Sequence, residues 1–213
     1  MFYVISTIRA SSASTEMKTY LERKYHEKFS VSDVHKEGSG VGVSGQTVCR
    51  GSPVDNSSIV FRVSDTDGRK TDNYIGALWL FRNRDGLEQM IRESSSDIML
   101  DRIDIHIGVD GEIESFHNSL KNKDIRDALK DYPDNIGIAV NIESSREEST
   151  KKHQDILRLL AKRLYDFGFR NITISYNFSS TDADSTKMRC VLGSVNIKEG
   201  GAVTGLEERC GER

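Results

Sequence analysis

Prolines and cysteines are scarce in this sequence, and each scarcity excludes a class of structure. Only 2 prolines occur among 213 residues, which excludes Pro-rich linkers and Pro-rich recognition tracts. The three cysteines, Cys49, Cys190 and Cys210, are odd in number and widely spaced, which excludes a zinc motif and a dense disulfide framework. One disulfide with a leftover thiol and three free thiols both remain open, with Cys190 expected in a buried strand and Cys210 exposed.

The chain also lacks an excess of charge of one sign and a long apolar run. Its 30 basic and 33 acidic residues are interleaved and give a formal net charge of -3. A nucleic-acid-binding protein would show a basic stripe or a basic excess, so we expect no nucleic-acid partner. No stretch of the sequence approaches the roughly 20 apolar residues that a membrane-spanning helix needs.

Motifs for catalysis and for cofactor binding are missing as well. Serine is abundant, yet no Gly-x-Ser-x-Gly nucleophile motif occurs. The glycine-rich stretch 38–45 lacks the Lys-Ser or Lys-Thr pair of a phosphate-binding loop, and Asp65-x-Asp67-Gly68 lacks the remaining ligands of a calcium loop. We therefore expect turns at both places, no cofactor, and a protein without catalytic activity.

Asp104 and His106 form one weak candidate metal site. They lie two residues apart on a predicted strand, so both side chains point to the same face of the sheet, where a metal ion or an acid/base pair is geometrically feasible. No second histidine at ligand spacing completes the set. A solvated sheet face is the simpler interpretation, and we assign no other catalytic, cofactor-binding or metal-binding residue.

Four segments are predicted along the chain. Residues 1–15 are a short apolar start, for which an N-terminal strand, a frayed end and the remnant of a membrane anchor all remain open. Residues 16–96 and 97–198 form two α+β halves, either as two domains or as one continuous domain, with a serine-rich boundary at 93–97. Residues 199–213 form a polar tail that we expect to be mobile.

Apolar residues in the first half recur at helical and at strand spacing. The predicted elements are helices 14–28 and 71–94 and strands 29–34, 46–50 and 57–63. Gly51-Ser52-Pro53 predicts a break between strands, and a second break or kink is expected in the later helix at 83–86. In that helix, Tyr74, Leu78 and Phe81 form one apolar stripe.

The second half is more regular. The predicted elements are strands 103–109, 136–142, 172–178 and 188–197 and helices 119–129 and 147–167. His153 lies on the apolar face of the longer helix and is expected to be a packed residue, and Gly168 ends that helix.

Each predicted strand is apolar on one face and polar or small on the other. Strands that are buried on both faces usually appear as continuous apolar runs instead. We therefore predict an α+β fold with two layers, in which helices pack on one face of a mainly antiparallel or mixed sheet.

Two segments, 20–31 and 59–79, are similar to a known group of proteins. The first contains Tyr20-Leu21-x-x-Lys24-Tyr25, and the second contains Asp72-x-Tyr74-x-x-x-x-Trp79. Across residues 16–94 the chain resembles uncharacterised small extracytoplasmic proteins of Gram-positive bacteria, which carry an N-terminal membrane helix or a lipoprotein signal. The resemblance implies a membrane-tethered domain with no known activity, although this sequence lacks the anchor. Tyr74 and Trp79 lie about 140° apart around a helix, so we interpret this motif as structural.

Three functions follow as hypotheses. The first is a non-catalytic extracytoplasmic or membrane-associated domain that binds another protein or a cell-envelope component, and that meets the membrane only through an anchor absent from this chain. The second is a cytoplasmic protein-interaction protein, such as an immunity or regulatory partner, if Met1 is the native start. The third is a metal-dependent hydrolase that uses Asp104 and His106.

Overall fold

A computed structural model of the chain describes residues 2–38, 45–95, 98–180, 186–193, 197, 202–204 and 210–212. The chain has an α+β fold and divides into two units. The first unit comprises Met1–Phe81 and Phe116–Asn122, and the second comprises Arg82–Ser115 and Lys123–Arg213. Most of the turn predicted at 38–45 lies outside the described residues. Among the residues that are described, no helix has the length and apolar character to cross a membrane.

The first unit is built from helices and an antiparallel sheet. Its elements are α1 (Phe2–Tyr25), β1 (Phe29–Glu37), β2 (Gln46–Pro53), β3 (Phe61–Thr66), β4 (Arg69–Asp72), the N-terminal part of α2 (Tyr74–Ser94), and α3 (His117–Asn122). The strands pair in the order β1-β2-β3-β4, which we call the first sheet. Asp67 and Gly68 both have positive φ angles, 52° and 87°, at the β3–β4 hairpin, which confirms the turn predicted at 65–68.

The core of the first unit is aromatic and includes the motif residues. Trp79 has no exposed surface and Tyr74 is 3% exposed, so the structural interpretation of that motif is confirmed. The ring of Tyr25 packs edge-on against Tyr74 with centroids 4.7 Å apart. Gly51 lies within β2. A Cβ atom at this position would meet the ring of Phe61 at 2.6 Å, which explains why the residue is a glycine. The break predicted at Gly51-Ser52-Pro53 is therefore wrong.

Four other expectations for the first half need correction. The apolar start is not a strand, because residues from Phe2 onward belong to α1. The third predicted strand begins at Phe61 rather than at residue 57. The helix α2 runs without interruption through residues 83–86, and Phe81 is 47% exposed. Phe81 lies about 160° around the helix from Trp79, so it does not share the side of α2 on which that fully buried ring packs.

The second unit places helices on one face of a mixed sheet. Its elements are the C-terminal part of α2, β5 (Arg102–Val109), α4 (Ile125–Asp131), β6 (Ile136–Glu148), α5 (Thr150–Phe167), β7 (Asn171–Ser180), β8 (Thr186–Leu192) and β9 (Cys210–Glu212), and a short 3₁₀ helix covers Glu114–Phe116. The strand order is β5-β6-β7-β8-β9, which we call the second sheet. Only the β6–β7 pair, joined through α5, is parallel among the described strands.

The alternation of buried and exposed residues in the second sheet confirms the two-layer α+β prediction. The face that packs under α5 is apolar and buried, and it includes Ile138, Val140, Ile142, Ile172, Ile174 and Tyr176. The opposite face exposes His106, Asn141, Asn171 and Thr173. Gly168, with a φ angle of 128°, ends α5 as predicted.

Two expectations for the second half also need correction. The helix predicted over 119–129 is two helices, α3 and α4, because the side chain of Asp124 caps α4 by accepting a hydrogen bond from the Arg126 N–H. The last predicted strand ends at Leu192 instead of residue 197. Within residues 199–213, Cys210–Glu212 forms the strand β9, which pairs with β8.

Candidate functional site

The weak candidates Asp104 and His106 lie on the exposed face of the second sheet. A side-chain ion pair already engages Asp104, with the Arg102 Nε atom 2.8 Å from Asp104 Oδ2. Across β6, the residues opposite the pair are Asn141 and Ala139. The described part of the chain contains no group of three His, Cys, Asp or Glu residues that could hold a metal ion. Among the residues that the structure describes, no further metal ligand therefore joins this pair.

A buried carboxylate joins the two motifs that carry the family resemblance. The side chain of Asp72 has no exposed surface. Its Oδ1 atom accepts hydrogen bonds from the Tyr25 hydroxyl (2.7 Å) and the Tyr74 N–H (3.0 Å). Its Oδ2 atom accepts from the Tyr20 hydroxyl (2.9 Å) and Lys24 Nζ (2.8 Å). We call Tyr20, Lys24, Tyr25 and Asp72 the Asp72 cluster.

The Asp72 cluster is saturated with hydrogen bonds. A carboxylate has about four lone-pair sites, and four donors occupy those of Asp72. The ammonium group of Lys24 balances the buried negative charge, as a buried carboxylate requires. Burial, with a further contribution from the charge of Asp72, raises the pKa of the Tyr20 hydroxyl well above its ordinary value. This arrangement leaves Asp72 no capacity for a ligand and fits a structural role.

Sequence reasoning identified Asp72 only as part of the Asp72-x-Tyr74-x-x-x-x-Trp79 motif and missed the cluster. A signal was present in the sequence, because Tyr20 and Tyr25 lie on the apolar face of α1 and each carries a polar tip. A buried tyrosine hydroxyl usually finds a hydrogen-bond partner. That requirement points to an acceptor elsewhere in the chain, but it does not identify which one.

The second unit contains a buried polar chain between α5 and the second sheet. The Nδ1 atom of His153 lies 2.9 Å from the hydroxyl of Tyr176, and both residues have no exposed surface. Ser144, on β6, hydrogen-bonds the same hydroxyl and also donates from Oγ to the Met99 carbonyl at 3.1 Å. Burial raises the pKa of Tyr176 well above its ordinary value. His153 is a packed residue, as predicted.

This polar chain borders a surface cleft at one end of the second sheet. The sheet-end cleft has a volume of about 220 Å³ and is lined by Asp101, Glu143, Ser144, Ser145, Asn177, Phe178, Lys187 and Met188. The register of β6 against β7 shifts between Ser144 and Glu147, next to the cleft. A bulge of this kind bends a strand and re-aims its side chains, and bulges are frequent beside functional sites.

Several polar groups in the sheet-end cleft keep unused hydrogen-bonding capacity. Asp101 accepts one hydrogen bond, from the Ser145 N–H at 2.5 Å. The Oδ1 atom of Asn177 is buried and has no hydrogen-bond partner among the described residues. Within the same described part of the chain, the side chains of Glu143 and Lys187 form no hydrogen bond or ion pair. Such groups are available to a ligand.

Sequence reasoning missed the cleft, although it predicted the strands that form it. The residue opposite Glu143 on β5 is Arg102, which pairs with Asp104 instead and so leaves Glu143 available. This choice of partner depends on strand register and side-chain direction. The β6 bulge is likewise a matter of register between strands.

The cysteines form one disulfide and one buried thiol. Cys190 on β8 is bonded to Cys210 on β9, and Cys49 is free. This outcome is one of the two alternatives that the sequence left open, and Cys210 is partly buried instead of exposed. Burial raises the pKa of the Cys49 thiol to about 11, so little reactive thiolate is present near neutral pH.

Comparisons with known proteins add one distant likeness. No family model matches the chain, and no curated protein matches it. Among solved structures, the crystal structure of a DUF5037 family protein from Ruminococcus gnavus ATCC 29149 is similar with a TM-score of 0.43 and 14% sequence identity, covering 80% of this chain and 76% of that chain. A likeness at this level carries no argument about function.

Proposed function

We propose that this chain is a non-catalytic extracytoplasmic domain that binds another protein or a cell-envelope component. The observation that carries the location is the Cys190–Cys210 disulfide, which joins β9 to β8. Structural disulfides persist in secreted and cell-surface proteins and are rare in the reducing cytosol. The resemblance of residues 16–94 to membrane-tethered proteins of Gram-positive bacteria supports the same location.

The binding role is supported by the contrast between saturated and unused polar groups. Asp72, the most strongly hydrogen-bonded carboxylate described here, is fully occupied. The sheet-end cleft, in contrast, combines Glu143, Asn177 and Lys187, which have unused capacity. Ligand pockets characteristically place a few polar groups at positions where they can meet a partner.

Localisation and thiol state test this proposal together. The gene, with its native upstream region, would be expressed from its own locus in the source bacterium with a C-terminal tag, and intact cells would be treated with external protease. We expect a protease-sensitive protein outside the cytoplasm. A protected cytosolic protein would contradict the proposal and favour an intracellular interaction protein.

The thiol count supplies the second readout. The chain would be trapped in acid, unfolded without reductant and alkylated, and the added mass would then be measured. An intact disulfide leaves only Cys49 to react, whereas a fully reduced chain takes up label at all 3 cysteines. Three labelled cysteines in protein taken directly from cells would remove the main support for an oxidising location.

A further inference from the structure

Charges of both signs lie at the sheet-end cleft. Asp101 and Glu143 contribute carboxylates on the β5–β6 side, and Lys187 contributes an ammonium group from β8. None of these three side chains has an ion-pair partner among the described residues. At binding interfaces, charged groups face groups of complementary charge on the partner. A ligand for this cleft would therefore carry a positive and a negative group.

The strand order sets the distance between these charges. Glu143 lies on β6 and Lys187 lies on β8, with β7 between them. Neighbouring strands are about 4.8 Å apart, and Lys187 lies two residues along β8 from Arg189, which is level with Glu143 through Asn177. The backbones of Glu143 and Lys187 are therefore about 12 Å apart before the side chains reach inward. The two ends of an amino acid or of a short peptide fit between such side chains.

Asn177 lies on the intervening strand, next to Glu143 in the β6–β7 register. Its Oδ1 atom is buried and accepts no hydrogen bond from the described residues. A buried acceptor without a partner is unfavourable, and a ligand N–H group would relieve this cost. An N–H group of the ligand, either of its ammonium group or of a peptide bond, has the required chemistry.

The size of the cleft limits the ligand. Its volume of about 220 Å³ is below the roughly 300–1,000 Å³ typical of pockets for drug-sized molecules. A ligand of one or two residues satisfies the size, the charge and the hydrogen-bonding pattern together.

We infer that the sheet-end cleft binds a free amino acid or a dipeptide through its two charged termini. Asp101 and Glu143 receive the ammonium group, Lys187 receives the carboxylate, and Asn177 accepts a hydrogen bond from an N–H group of the ligand. This inference rests on the proposed binding function and names the ligand class of the same site.

The test is a binding screen on the purified full chain. The 20 free amino acids and the complete set of their dipeptides would be tested at millimolar concentration by thermal shift, and hits would be titrated by calorimetry. The best ligand would be compared with its N-acetylated and C-amidated forms. We expect each cap to weaken binding by at least about tenfold, because each removes a charge-assisted hydrogen bond. No binder in the set, or equal binding of the capped forms, would overturn the inference.

Matched variants locate the binding. Glu143→Gln and Lys187→Met each remove one of the three charges at the cleft and should each weaken binding by about tenfold. Glu112→Gln and Lys151→Met change exposed side chains elsewhere in the second unit and should leave binding unchanged. Equal affinity of all four variants would place the ligand outside the cleft and overturn the inference.

The outcomes of this screen and of the localisation experiment are separable. An oxidised protein outside the cytoplasm that binds no member of the set contradicts the ligand assignment and leaves the location standing. A cytosolic, reduced protein whose binding depends on Glu143 and Lys187 contradicts the location and supports the ligand assignment.

Discussion

The two units use the same kinds of polar side chain in opposite ways. In the first unit, Asp72 accepts four hydrogen bonds and is paired with Lys24. In the second unit, Glu143 and Lys187 line one cleft without an ion-pair partner among the described residues. The difference teaches that a motif of charged and aromatic residues is not by itself a site. What distinguishes a site is donor and acceptor capacity that the fold leaves unused.

The comparison also separates two sources of stability. The Asp72 cluster links α1 to the β4–α2 junction by side chains about 50 positions apart in sequence. In the second unit, the Cys190–Cys210 disulfide fixes a short edge strand covalently. We therefore expect the first unit to be sensitive to loss of one carboxylate and the second to be sensitive to reduction.

Replacement of Asp72 should have the largest effect. Asp72→Ala leaves the buried Lys24 and two tyrosine hydroxyls without their acceptor, and we expect a loss of roughly 3–5 kcal/mol in unfolding free energy. Fluorescence of Trp79, the single tryptophan and a core residue of the first unit, would follow unfolding in urea. Asp55→Ala, at an exposed position, is the control and should change stability little. Equal effects of the two changes would show that the Asp72 cluster does not stabilise the first unit.

Removal of the disulfide should have the next largest effect, in the second unit. The bond closes a loop with a sequence separation of 20. The unfolding free energy of the Cys190→Ala/Cys210→Ala double variant should therefore be lower by about 3 kcal/mol. Hydrogen exchange of β8 and β9 amides would measure the loss. Wild-type protein in reductant should show the same increase in exchange, and the double variant should not respond to reductant. Unchanged exchange in β8 would show that the disulfide does not stabilise this edge.

Tyr176→Phe should have an intermediate effect. The change removes the hydroxyl that bonds His153 Nδ1 at 2.9 Å in the core, and we expect a loss of about 1–3 kcal/mol. Chemical denaturation followed by circular dichroism would measure it. Tyr165→Phe alters a partly exposed ring on α5 and should stay within about 0.5 kcal/mol of the wild type. A neutral Tyr176→Phe would indicate that the polar chain contributes no stability to the second unit.

The smallest expected effect concerns pH and the Asp65–Lys70 pair. The hydrogen bond from Lys70 is the main cause that lowers the pKa of Asp65, with a 2.8 Å separation between Lys70 Nζ and Asp65 Oδ2. A carboxyl whose pKa is lower in the folded state stabilises the fold above its unfolded pKa, and this stability is lost as the pH falls through the folded pKa. As the pH falls below about 4, the unfolding free energy of the wild type should therefore decrease by up to about 1 kcal/mol more than that of Asp65→Asn. Parallel pH curves for the two proteins would exclude a contribution from this pair.

Local patterns predicted much of the fold. Alternating residues located β5, β6 and β7, and the apolar stripe with its terminal Gly168 located α5, because these patterns follow from the geometry of each element alone. The same approach failed where contacts with a neighbouring strand determine the local structure. Gly51 looked like a strand break, but its missing Cβ makes room for the ring of Phe61 on β3.

The candidate site was much less predictable than the fold. Asp104 and His106 could be paired from sequence because residues two apart on a strand share a face. The atoms that define the Asp72 cluster and the sheet-end cleft come from distant positions: Tyr20 bonds Asp72 across 52 residues, and Ser145 bonds Asp101 across 44. No local pattern encodes such pairs.

The sequence by itself determined the α+β class, the polar and apolar faces of most strands, and the structural character of Tyr74 and Trp79. These properties depend on the spacing of apolar residues within a single helix or strand, which can be read from the sequence. Only the tertiary structure decided which cysteines pair, which carboxylate is saturated and which charges remain available. Those outcomes depend on distances between segments far apart in the chain, because hydrogen bonds and disulfides form only where folding brings both partners within a few ångströms.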